Sequence, residues 1–179
     1  MNLNTNNWQD FKINELFDVC LSAGDLKIDT CEIGDIPLVS SGQSNNGIVG
    51  YIDKAGDGKA QLFDGNLITV DMFCHAFYQY RTFYAVSHGR VNILIPKFKL
   101  NPPIGLFIAT IINKEIYKYS YGRALYSDEI SRMIIKLPTK SEEHIPDWTF
   151  MEEFIKSLNS KNVTTKNRGG ARITYTWYN

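Results

Sequence analysis

Between Ile36 and Pro96 the chain is a series of short apolar runs that stop at glycine, asparagine and aspartate, a punctuation that excludes long helices from its first half. Ile36-Pro37-Leu38-Val39 reads as a strand running into Ser40-Ser41-Gly42-Gln43-Ser44-Asn45-Asn46-Gly47, and Ile48 to Ile52 as its partner across a hairpin or tight connection. Asp53 to Gly65 is a second turn region. Leu67-Ile68-Thr69-Val70 is strand-like. Cys74 to Tyr84 and Ala85 to Ile95 predict two or three further strands, the last alternating Val91, Ile93 and Ile95 before Pro96 closes it. Upstream, Trp8 to Val19 mixes helical and strand spacing, as a short strand with a helical turn would.

The second half reads differently. Pro102-Pro103 is expected to block a helix start until Ile104, after which Gly105 to Tyr119 predicts a helix with Leu106, Phe107, Ala109, Ile111, Ile112 and Ile116 inward. Ser127 to Arg132 reads as a turn before a strand from Met133 to Leu137, ended by Pro138. A last helix opens at Pro146-Asp147-Trp148-Thr149, capped by Asp147 or Thr149, with Thr149 and Glu152 spaced as a capping box. The sum is a mixed α/β (α+β) fold: a strand-rich domain over 1–145, one core helix, an amphipathic helical segment over 146–160 and a polar tail over 161–179. A length of 179 residues fits one domain, or one domain with an appendage.

The net charge of zero conceals a division. Residues 1–71 hold four basic and eleven acidic side chains, whereas 72–179 hold fifteen basic and eight acidic ones. Within 72–126 Arg81, Arg90, Lys97, Lys99, Lys114, Lys118 and Arg123 face a single acid, Glu115, and twelve of the 23 aromatic residues lie there too. Basic residues interleaved with tyrosine and phenylalanine are the footprint of a polyanion-binding face. No apolar run reaches the roughly 20 residues a membrane span needs, and the polar, Asn-rich start is neither a signal nor a transit sequence. Cys20, Cys31 and Cys74 lack the spacing of a zinc site or disulfide framework, so reduced thiols in a cytoplasmic protein are expected.

Signs of catalysis are weak. Asn101-Pro102-Pro103-Ile104 resembles the Asn-Pro-Pro-aromatic loop of amino-methyltransferases, but Ile104 replaces the aromatic and no Gly-rich loop follows an upstream strand; a proline-rich helix start explains it better. Glu153 and Lys156 are three apart on a helix, a solvated pair rather than the Glu-x-Lys of a nuclease strand. Cys74 and His75, adjacent in a strand, are expected on opposite faces. His88 and His144 lie in polar surroundings and read as solvated. The chain reads as a binding module without cofactor or metal.

Three segments carry the chemistry of base or phosphate recognition. Ser40 to Gly47 offers hydroxyls and amides, and Asn or Gln can pair bidentately with adenine; the plainer reading is a turn whose side chains satisfy their own backbone. Gln79-Tyr80-Arg81, with Arg90 downstream, supplies a guanidinium for guanine or phosphate, or simply an arginine lying along Tyr80 at a strand edge. Lys118 to Ser127 is cationic and hydroxyl-rich, or an aromatic-packed turn.

Trp8-Gln9-Asp10-Phe11-Lys12-Ile13-Asn14-Glu15-Leu16-Phe17, Ile36-Pro37-Leu38-Val39-Ser40-Ser41-Gly42 and Asn45-Asn46-Gly47-Ile48-Val49-Gly50-Tyr51 occur here in one order with five later motifs. These are Asn66 to Val70, Phe77-Tyr78-Gln79, Tyr121-Gly122-Arg123, Ile134-Ile135-Lys136-Leu137-Pro138 and Pro146-Asp147-Trp148-Thr149-Phe150-Met151-Glu152. Together, over residues 8–158, they resemble one target-recognition domain of a type I restriction-modification specificity subunit, or of the similar type II methylase-nuclease subunits.

The resemblance implies a non-catalytic module that reads a half-site in double-stranded DNA. It would dock on a methyltransferase subunit that methylates adenine, with a restriction/translocase subunit joining for cleavage. Such subunits usually hold two recognition domains; one domain here implies a half-subunit that pairs as a homodimer, or a fragment of a longer chain. A truncated assembly or inhibitory piece without DNA recognition is the rival. Ser41, Gln43, Asn45 and Asn46 are then candidates for base-edge or near-base contacts, Arg81, Lys118, Arg123 and Ser127 for phosphate or guanine, and Gln79 is a further DNA-binding candidate. Tyr80, Tyr119 and Tyr121 would shape the groove face. Trp148, Met151, Phe154, Ile155 and Leu158 are candidates for the partner interface, or for docking on the domain's own core. The resemblance also leaves open whether the Asn-Asn-Gly loop is scaffold and the Cys74–Arg81 stretch carries specificity.

Overall fold

A computed structural model describes residues 5–24, 26–54, 60–86, 90–140 and 143–159; the polar tail and His88 lie outside them. Among the described residues there are three antiparallel or mixed sheets and four α-helices. Strand β1 (Trp8–Lys12) pairs antiparallel with β10 (Ile134–Pro138). A four-stranded antiparallel sheet runs β2 (Phe17–Leu21), β9 (Asn92–Pro96), β6 (Leu67–Val70), β7 (Ala76–Gln79). A second, in the order β4 (Ile48–Ile52), β3 (Ile33–Val39), β8 (Phe83–Ala85), β5 (Gln61–Phe63), is antiparallel except where β3 runs parallel to β8.

Strand parity distributes the core. On the central sheet Phe17, Val19, Ile68, Val70, Ala76, Tyr78 and Leu94 face the helices, while Cys20, Leu67 and Ile93 face Val39, Phe63, Phe83 and Ala85 of the outer sheet. β6 is therefore covered on both sides, which explains an almost unbroken apolar run where a one-sided strand would alternate. The outer sheet's far face packs Leu38, Ile52, Tyr84 and Val86 against Leu26, Ile28 and Cys31.

The first strand, a helical turn α1 (Ile13–Leu16) and β2 follow one another as the mixed spacing predicts. The core helix departs from expectation. α2 spans Pro102–Asn113, with both prolines in its first turn and the Asn101 side chain accepting from the Ile104 N–H at 3.0 Å. Proline at the helix start loses no intrahelical bond and has the required φ already, so the pair begins the helix rather than delaying it. Ile104, Gly105 and Ile108 join Phe107, Ala109 and Ile112 as the buried face, with Leu106, Ile111 and Ile116 only half-buried. Ser127–Arg132 is helix α3, not a turn.

Helix α4 (Trp148–Asn159) is capped by Asp147, whose carboxylate accepts from the Phe150 N–H at 3.0 Å. The Thr149–Glu152 box does not form: Glu152 takes a 2.8 Å hydrogen bond from Asn101 and pairs with Lys156, and Lys156 does not pair with Glu153. α4 lies on the domain's own core. Met151 is fully buried there, Trp148 stacks on Phe98 at 4.0 Å, and Phe154 meets Phe107 edge-on at 6.0 Å. Edge strand β7 is covered by a side chain: Asn113 accepts from the Ala76 N–H at 2.7 Å and donates to its carbonyl at 2.8 Å.

Candidate nucleic-acid interface

The loop Ser40 to Gly47 closes through a run of left-handed residues. Asn45, Asn46 and Gly47 have φ of 50°, 55° and 73°. Each left-handed residue other than glycine costs roughly 1–2 kcal/mol, and asparagine tolerates it best. The turn is locked by a 2.9 Å bond from the Ser40 N–H to the Gly47 carbonyl, and by Gln79, whose amide donates to the Asn46 carbonyl at 2.9 Å and to Thr69 Oγ1 at 3.1 Å. Asn45 Nδ2 donates to the Ile48 carbonyl at 3.3 Å. Gln79 is buried, so it supports the loop from beneath, while the side chains of Gln43 and Asn46 are exposed.

Asp71, at the end of β6, ties this loop to the turn before β7. Its Oδ2 accepts from Ser41 Oγ at 2.8 Å and the Gly42 N–H at 3.0 Å, and contacts His75 Nδ1 at 2.8 Å. Its Oδ1 accepts from the Phe73 and His75 N–H groups, both at 2.9 Å. Carboxylate and imidazole are both buried. Between them Cys74 sits at φ 69° with its Sγ donating to the Ile112 carbonyl at 3.5 Å, so Cys74 and His75 are turn residues rather than strand neighbours. Burial, with Glu115 and Asp71 adding to it, pushes the Cys74 thiol up to about 12. A thiol held there is no nucleophile at neutral pH.

The same turn meets the third segment. Phe73 packs edge-on against Tyr121 at 5.0 Å, and the Leu125 N–H donates to the Met72 carbonyl at 2.8 Å. Asn92, wholly buried, accepts from Ser127 Oγ at 2.6 Å and donates to the Arg90 carbonyl at 3.0 Å. Arg90, left-handed at φ 54°, lays its guanidinium over Tyr126 at 4.5 Å. The loop 40–47, the turn 71–75, Arg90 and the segment 118–127 are thus linked by one continuous set of contacts.

Within the last segment Tyr121 is 89% exposed and Arg123 is exposed, whereas Ser127 is half-buried on Asn92. Tyr119 is half-buried, which raises its phenol above the usual range. Lys118 pairs with Glu115, the one acid of the basic stretch, and that hydrogen bond raises its ammonium. Tyr80 and Arg81 are exposed, the guanidinium 5.0 Å from the ring centroid, as a strand-edge stack would place them. Most of Cys74 to Gln79 is buried, leaving Tyr80 and Arg81 as the exposed end of that stretch.

Asp71, Asn92 and Asn113 carry no motif and were missed in the sequence; their one signal is a polar residue bordering or interrupting an apolar run. His144 is not merely solvated: it stacks on Phe11 at 4.2 Å and its Nδ1 meets Gln9 Oε1 at 3.0 Å. Of the partner-interface candidates, Trp148, Met151, Phe154 and Ile155 pack on the core, and Leu158 is exposed. Among the described residues no group of three or more His, Cys, Asp or Glu is placed to hold a metal, and no helix is long and apolar enough to cross a membrane.

Comparison with known proteins agrees with this architecture. The chain is 27% identical over 160 residues to the type II restriction enzyme specificity subunit S.BcgI of Heyndrickxia coagulans, covering 87% of this chain and 45% of that one. Its fold is similar to the type I restriction-modification S subunit from M. genitalium, with a TM-score of 0.58, 12% identity and coverage of 87% of this chain and 40% of that one. It is also similar to the HsdS subunit from Thermoanaerobacter tengcongensis, with a TM-score of 0.54, 12% identity, and coverage of 89% and 39%. The chain spans less than half the length of each of these relatives. Residues 5–168 match the type I restriction modification DNA specificity domain, and the chain belongs to that family.

Proposed function

We propose that this chain reads a short half-site in duplex DNA and acts as the non-catalytic specificity module of a restriction-modification system. On this reading it directs adenine methylation and cleavage by a methyltransferase subunit and a restriction/translocase subunit in the cytoplasm. The observation that carries it is that Asp71 ties the loop bearing the exposed amides of Gln43 and Asn46 to the turn whose Phe73 backs Tyr121, on the segment that also exposes Arg123, in a chain of the DNA specificity family. Cations position a phosphate backbone and amides read base edges, so the two kinds of contact occur side by side as recognition requires. Arg81, Lys118, Tyr80 and Tyr119 extend the phosphate and groove contacts, while Ser41, Asn45, Gln79 and Ser127 hold the loops that present them. Recognition belongs to 1–145; the helix from Trp148 docks on that unit and leaves Leu158 toward a partner.

Selection from a randomised duplex library at two salt concentrations, with and without the methyltransferase subunit, tests the reading. A short enriched motif, with affinity falling steeply as salt rises, is the expected result. A motif doubled as an inverted repeat identifies a symmetric pair of copies, since half-site symmetry mirrors protein symmetry. Binding to the methyltransferase with no enrichment in either condition overturns the reading in favour of an assembly or inhibitory piece.

A further inference from the structure

We propose that Asp71 is the positioning residue for sequence discrimination: it holds the Ser41–Gly42 loop against the Phe73–His75 turn and so sets how Gln43, Asn46 and Tyr121 face the DNA. The inference rests on the DNA-reading function above and names the group that governs its specificity.

Asp71 is 3% exposed and, among the described residues, its one ion-pair contact is His75. A buried carboxylate without a lysine or arginine is costly unless donors surround it, and here five donors do. All five belong to the 41–42 loop and the 73–75 turn; none comes from a strand. The carboxylate therefore bonds one loop to another and adds nothing to the sheet ladders. The two segments it joins lead directly to exposed groups. Gln43 follows Gly42 with its amide exposed, and Phe73 backs the ring of Tyr121. Groups that read bases must be held to about 0.5 Å by their supporting contacts. Among the described residues Asp71 pairs with none of the cations Arg81, Lys118 and Arg123, so its replacement leaves the number of cations available to phosphate, which sets the salt slope, unchanged.

The test compares the full-length wild type with Asp71→Asn, which keeps size and one acceptor oxygen but turns the other into a donor facing Ser41 and Gly42. The readouts are circular dichroism, exchange of the Gly42 amide proton, and affinity for the enriched duplex and for a shuffled one at two salt concentrations. The expected result is a folded variant whose Gly42 amide exchanges faster, whose discrimination falls about tenfold or more, and whose salt dependence is unchanged. A folded variant with wild-type discrimination overturns the proposal, as does an equal fall for both duplexes. If D71N does not fold, Ser41→Ala decides by the same comparison. A wild type that enriches no motif sinks the DNA-reading function itself and this inference with it, an outcome distinct from enrichment that D71N leaves intact.

Discussion

The Gln79 side-chain amide lies 2.9 Å from the main-chain carbonyl of Asn46, and this bond fixes a left-handed turn to the face of an edge strand thirty-three residues away. Gln79→Ala removes a buried donor and takes its hydrogen bond from that carbonyl, while Thr69 Oγ1 keeps its own bond to the Phe77 carbonyl. The expected loss is about 1–3 kcal/mol in denaturant unfolding. An unchanged midpoint would mean the turn holds itself.

Gly105 faces the ring of Tyr78: a β-carbon there would come within 2.2 Å of Cδ2. In an exposed helix glycine to alanine gains about 1 kcal/mol. Here Gly105→Ala is expected to destabilise by about 1–3 kcal/mol through overpacking. In a Tyr78→Ala background the same change should become neutral or favourable. A double-mutant cycle measures this, and additive effects would refute the close approach.

Helix α4 packs on the hydrophobic core through Trp148, Met151, Phe154 and Ile155. Met151→Ala is expected to cost about 2–5 kcal/mol as a core truncation. Leu158→Ala, at an exposed position, should stay within about 0.5 kcal/mol of wild type. Comparing thermal unfolding of both with pull-down of the methyltransferase separates a folding helix from a docking one. If Met151→Ala unfolds at the wild-type temperature, α4 is not seated on the core.

Arg123 is exposed, whereas Lys118 is paired to Glu115, and on the proposed DNA-reading function the two differ as phosphate contacts. Arg123→Ala should weaken DNA binding alike across sequences and reduce the slope of log affinity against log salt by about one. Glu115→Gln frees Lys118 and should raise affinity at low salt. Fluorescence anisotropy titrations over a salt series give both slopes, and an unaltered slope for Arg123→Ala removes it from the phosphate contacts.

Cys74 provides a pH signature. An unfolded thiol ionises near 9, while in the fold burial holds ionisation off until about 12. Between those values the unfolded chain has lost a proton that the native chain keeps, so stability falls as pH rises from about 9 and the Cys74 contribution is intact below it. Urea unfolding across that range should show the decline, and Cys74→Ala should flatten it. Alkylation at pH 8 should modify Cys31 before Cys74.

Strand and helix positions were legible from local pattern, because apolar spacing and turn residues act over a few neighbours. β3, β4, β6 and β9 fall where the runs lie, and Trp148, Met151, Phe154 and Ile155 of α4 share the inward face their spacing predicts, with Leu158 exposed. Pro102 misled because proline can end one helix or begin another, and here the Asn101 cap makes it a beginning.

The sequence by itself determined a strand-rich α+β domain, one apolar helix, a basic aromatic second half and three segments whose residue types have the chemistry of base or phosphate recognition. Tertiary structure decided which residues in those segments reach outward. Gln79 and Ser127 have the right chemistry for a base or phosphate but are held inward by Asn46 and Asn92, and the α4 face is covered by the domain itself. Asp71 joins the 41–42 loop to the 73–75 turn only because the fold brings it partners thirty residues upstream and four downstream. Hydrophobic periodicity is a property of neighbours in the chain, whereas a polar side chain takes its role from whichever donor or acceptor the fold brings to within about 3 Å.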